Sequence, residues 1–138
     1  MFRFSLIALI AASAWGAHAG KLERNHLKNV VDPAIEKAKK DFATACGCNW
    51  SISFDRAVAE KQGLDKLSAL VNMAEKISEE APGYCDDADS KKTACKVSKI
   101  IFAYGPELAL RVEKDTATFV TDGGAIKTFD MLMTELDK

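Results

Sequence analysis

Cys46-Gly47-Cys48, with Cys85 and Cys95 further along, holds the residue types best suited to chemistry in this chain. Two thiols separated by one glycine suit three roles: a redox dithiol, part of a zinc site, or anchors for disulfides. Zinc sites usually pair cysteines with two to four residues between them and add further Cys or His, which this spacing matches poorly. The familiar redox motif has two intervening residues and lies beside a βαβ unit. An even count of four cysteines points instead to structural disulfides, provided that the chain reaches an oxidising compartment.

The N-terminus supplies that condition. Arg3 precedes an apolar run from Phe4 to Ala14, and Ala17-His18-Ala19 has the small-x-small pattern of a signal peptidase site. The run is too short to span a bilayer, which takes about 20 residues. The expected organisation is a cleaved leader at residues 1–19 followed by a single domain at 20–138. A leader of bacterial type points to a periplasmic or secreted protein. In the periplasm the glycosylation sequon Asn49-Trp50-Ser51 goes unused.

Other reactive patterns are scarce. The chain has no Gly-x-Ser-x-Gly, Ser-x-x-Lys or His-Glu-x-x-His sequence. His26 is the only histidine beyond the leader. Asp86-Asp87-Ala88-Asp89-Ser90 runs into Lys91-Lys92 and lacks the central glycine and final glutamate of a calcium loop. The formal net charge is −1, and Lys39-Lys40 and Lys91-Lys92 have acidic neighbours. Nucleic-acid binding needs a concentrated basic footprint, so no nucleic-acid partner is expected. No cofactor or metal is expected either, nor membrane insertion once the leader is removed.

The elements that must position the cysteines follow from periodicity. Leu27, Val30, Val31, Ala34, Ile35, Ala38, Phe42 and Cys46 recur at helical spacing. Asp32-Pro33 reads as a cap and first helical position, after a looser lead-in from about Leu22, and Gly47 as the left-handed stop. Cys48, Trp50, Ile52 and Phe54 alternate with polar residues up to Asp55, which predicts a strand. Leu64 to Ala81 has helical spacing and should end at Pro82-Gly83. Residues 86–93 read as a loop. Strands are predicted near 96–104, 108–113 and 116–121, and Phe129, Leu132, Met133 and Leu136 mark a closing helix.

The expected fold is α+β: a two-layer sandwich whose four-stranded, mainly antiparallel sheet has its helices on one face, in the order α-β-α-β-β-β-α. The first helix ends and the first strand begins at one pole, to which the second helix returns. All four cysteines should cluster there, which favours two bonds joining CGC to Cys85 and Cys95. The alternative pairs Cys46 with Cys48 and Cys85 with Cys95.

A sheet covered on one side leaves a wet face, expected to carry Asn49, Ser51, Ser53, Asp55, Glu107, Arg111, Glu113, Thr116, Thr118 and Val120. Trp50, Ile52, Phe54, Leu108, Leu110, Val112, Ala117 and Phe119 should turn into the core. Asn49, Ser51, Ser53, Asp55, Arg111, Glu113 and Thr118 are the candidate partner-binding residues, with the 86–92 loop as rival. Without a catalytic motif, the expected function is a protein-binding or inhibitory, immunity-type module acting on another envelope or secreted protein. A structural or assembly factor is the alternative. A small enzyme built on carboxylates or thiols is the third reading.

Overall fold

The structure is a computed structural model that describes residues 20–138. The expected leader lies outside the described residues. The described chain opens with a long helical run: residues 20–26, a π-helical turn at Leu27–Val31, then α1 at Asp32–Cys46. The α-helix does begin at Asp32, with Pro33 in its first turn, but Asp32 is not its cap: the chain arrives already helical through Val31, and no side chain caps the junction. The Asp32 amide reaches back to the Leu27 carbonyl, which widens the turn just before a proline that has no amide to donate. The buried stripe of Leu27, Val31, Ile35, Ala38, Phe42 and Cys46 continues across the junction, so packing keeps the two pieces together. Gly47, at φ 80°, donates to the Ala43 carbonyl and ends α1 in a conformation that suits glycine.

After β1 (Ser51–Phe54) come α2 (Arg56–Glu60), α3 (Leu64–Tyr84) and α4 (Ala88–Ala94). They are followed by β2 (Lys99–Tyr104), β3 (Ala109–Glu113), β4 (Thr116–Thr121) and α5 (Phe129–Leu136). Three features correct the sequence-based expectation. Asp55 is not part of β1; its side chain caps α2 by accepting from the Val58 amide. Pro82 does not end α3, because Ala81 and Cys85 are buried and the Cys85 amide still closes on the Ala81 carbonyl. The expected loop at 86–93 contains α4, capped by Asp87, which accepts from the Ser90 amide. Asp87 with Ser90 three residues on is a local capping arrangement that polar composition alone reads as loop.

The sheet order is β1-β2-β4-β3. β1 pairs with β2, and β2 with β4, in parallel; only β3 and β4 are antiparallel. The sheet is thus mixed rather than mainly antiparallel. The connection from β1 to β2 carries α2, α3 and α4, and a crossover through helices returns the chain to the end where β1 began. The polar alternation of β1 reports a bare face and says nothing about strand direction.

Ile52, Ile100, Phe102, Ala117 and Phe119 are buried in one cluster with Phe42, Leu67, Leu70, Met73, Ile77, Phe129 and Leu132 of the helices. Trp50 stacks on Phe42 at 3.6 Å between ring centroids, and its indole donates to the Ala94 and Val97 carbonyls. A buried indole N–H needs such partners. Leu108 and Val112, expected inside, are 36% and 38% exposed, since Val112 is on an edge strand and Leu108 lies in the turn before it. Val120, expected on the wet face, is 7% exposed. Gly105 lies over it; a Cβ there would come 2.8 Å from Val120 Cγ1.

Cys46 bonds to Cys85 and Cys48 to Cys95. Gly47 turns the chain between them, so each cysteine of the CGC stretch reaches the end of a different helix: Cys46 that of α3 and Cys48 that of α4.

Candidate functional site

Strand β1 lies at one edge of the sheet. The Ser51 amide donates to the Ser98 carbonyl at 2.9 Å, so Ser51 and Ser53 turn their backbone groups toward β2. Strand alternation turns the amide and carbonyl of Ile52, and those of Phe54, to the outer side. After the Gly47 turn, β1 runs back along α1, which forms the facing wall.

Between that wall and the strand is a groove in two parts. In the first, of about 640 Å³, Glu36, Lys39, Lys40 and Ala43 face Asn49, Trp50, Ser51, Ser98 and Lys99. In the second, of about 410 Å³, Asp32, Ile35 and Glu36 face Ile52, Ser53, Phe54 and Arg56. Glu36 borders both parts, so they follow one another along β1. A smaller hollow of about 230 Å³ continues past the strand's C-terminal end, where Asp55 and Val58 meet Ile101 and Tyr104.

The electrostatics differ between the ends. Lys39 pairs with Glu36 at 3.3 Å, whereas Lys40 and Lys99 make no ion pair among the described residues. The first part therefore carries a positive excess. At the other end the Arg56 guanidinium grips the Asp32 carboxylate through two bonds, of 2.9 and 2.8 Å, and lies 5.3 Å from the Phe54 ring centre. The Asp32 bonds push the Arg56 pKa above its usual value. That fork closes the groove with a neutral pair and leaves the lysines as its free charge. Tyr104 donates to the Lys66 carbonyl, and burial pushes its hydroxyl up to about 12, so it remains a neutral phenol.

The sequence-based candidates divide into two groups. Asn49, Ser51, Ser53 and Asp55 are exposed and border these hollows in order along β1. Arg111 and Glu113 are exposed on β3 at the opposite edge, and Thr118 is half-buried on β4. The structure therefore does not unite the seven in one site. The α1 wall (Asp32, Glu36, Lys39, Lys40) and Arg56 had no single-residue signature. The signal that would have revealed them is topological: a helix that turns at glycine into an edge strand lies against that strand.

Among the described residues no cysteine is free, and no three His, Cys, Asp or Glu side chains converge as metal ligands. The notable carboxyl pair is Glu80 of α3 with Asp130 of α5. Glu80 Oε1 is buried without a hydrogen-bond partner, and burial, then Asp130, push the Glu80 pKa to about 7. The pair borders none of the three hollows. Comparison with protein-family models, with curated proteins and with solved structures finds no match to this chain.

Proposed function

We propose that this chain is a protein-binding module of an oxidising compartment, periplasmic or secreted, and that it takes an extended segment of its partner along β1. The observation that carries this reading is the groove beside β1, with the Ile52 amide and carbonyl turned to its side. An extended chain that adds to a sheet edge gains backbone hydrogen bonds, and neighbouring pockets supply specificity. Lys40 and Lys99 favour a segment with a carboxylate near one end. Two disulfides support a compartment in which such bonds persist. No described helix is long and apolar enough to cross a membrane. Export itself is checked by the N-terminus of the mature protein, expected at Gly20.

An inhibitory, immunity-type module is the narrower form of this reading, with a loop of a toxin or hydrolase as the segment. Panning a displayed library of linear peptides against the disulfide-bonded protein tests the general form. Enriched peptides should carry Asp, Glu or a free C-terminus at one end, and binding should weaken with Lys40→Glu or Lys99→Glu. A library that yields no peptide sensitive to either substitution overturns the proposal.

A further inference from the structure

The sheet has a second edge, β3, and among the described residues no helical wall stands beside it as α1 stands beside β1. Its backbone direction can be traced through the ladder. The Lys99 amide donates to the Asp115 carbonyl at 3.1 Å, so Asp115 and Ala117 turn their backbone groups to β2. Thr116, Thr118 and Val120 then turn theirs to β3, where they meet Glu113, Arg111 and Ala109. By alternation, the amides and carbonyls of Leu110 and Val112 point away from the sheet. A free edge of this kind is a template for another strand, and natural proteins blunt it with a short strand, charged side chains, proline, a bulge or a cover. β3 is five residues long and carries Arg111 and Glu113, charges that a matching strand can pair. β3 contains no proline, and its register with β4 runs without a bulge.

We propose that two copies of this chain associate through β3, antiparallel, about a two-fold axis at Val112, so that their sheets join into one. The charge order of the strand selects this register. With the axis at Val112, Arg111 of each copy lies opposite Glu113 of the other, and the two Val112 residues meet on the other face. Leu110 then faces the other copy's turn at Lys114, which leaves the strand with φ 54°, so the paired stretch runs from Arg111 to Glu113. An axis at Arg111 opposes two guanidinium groups, and an axis at Leu110 sets Glu113 against Glu107. Like charges directly opposite destabilise a strand pair. The Val112 register also places two outward-pointing backbone groups face to face, as a hydrogen-bonded antiparallel pair requires. It gives the 38% exposed Val112 an apolar neighbour.

Sedimentation equilibrium of the disulfide-bonded chain over a concentration series up to the millimolar range tests the proposal. Wild type should show a monomer–dimer equilibrium that weakens with salt. Arg111→Glu, which turns both ion pairs into repulsions, should raise the dimer dissociation constant by about tenfold or more. The double exchange Arg111→Glu with Glu113→Arg restores both pairs and should restore the dimer. Thermal unfolding of each variant at concentrations where it is monomeric should match wild type, which separates loss of association from loss of fold. Val112→Cys should crosslink two copies under mild oxidation, and Leu110→Cys should not. A wild type that is monomeric throughout, or a dimer that ignores the single charge reversal, overturns the proposal.

Discussion

Gly47 and its two cysteines show how much one turn can decide. A left-handed residue at φ 80° lets adjacent cysteines reach two different helices, with Cys46 tied to Cys85 and Cys48 to Cys95. Gly47→Ala would force a Cβ into a backbone region that L-residues disfavour, at about 1–2 kcal/mol. Removing the Cys48–Cys95 bond by alanine at both positions should cost about 2–5 kcal/mol, read by urea unfolding of the non-reduced protein. The double substitution is the cleaner test because it leaves no unpaired thiol. Trp50 sits two residues beyond the bond, and its indole holds the Ala94 and Val97 carbonyls on either side of Cys95. Its fluorescence should therefore report whether that bond keeps α4 in place.

Among the elements, α5 carries the clearest pH response. Its first-turn Asp130 faces Glu80 of α3, while Lys76, one turn earlier on α3, opposes the repulsion between them. Burial and Asp130 raise the Glu80 pKa from the ordinary 4.5 to about 7. Between those values the folded chain keeps a proton that the unfolded chain has released. The contribution of Glu80 to stability is thus complete below pH 4.5 and declines as the pH rises through about 7. Glu80→Gln stays neutral throughout, so its urea midpoint should fall less than that of wild type across this window. Parallel curves for the two proteins would contradict the assignment. Elements with a regular apolar period were legible in the sequence: the stripe from Leu27 to Cys46, β4, and α5 from Phe129. What was missed depends on partners distant in sequence or on short capping contacts. The Asp87–Ser90 bond that starts α4 is an example, and so is the packing that carries α3 through Pro82. The parallel pairing of β1 and β2 was within reach, since the shared pole that clusters the cysteines also fixes where β2 must begin.

At the scale of the whole molecule, the sheet offers two free edges with different surroundings. β1 borders a groove walled by α1, and β3 has no such wall among the described residues. The sequence pointed to both through Asn49, Ser51, Ser53 and Asp55 on one side and Arg111 and Glu113 on the other, because alternation marks the wet face of each strand. It could not separate them, because separating them requires the strand order. The central claim, that β1 takes an extended segment, is tested most directly by amide hydrogen exchange of the disulfide-bonded protein with and without a peptide selected by panning. The Ser51 and Ser53 amides already face β2 and should change little. The Ile52 amide points to the groove, and its exchange should slow markedly when the peptide pairs with it. Slowing confined to Leu110 and Val112 of β3, or an Ile52 rate unchanged at saturating peptide, would contradict the account.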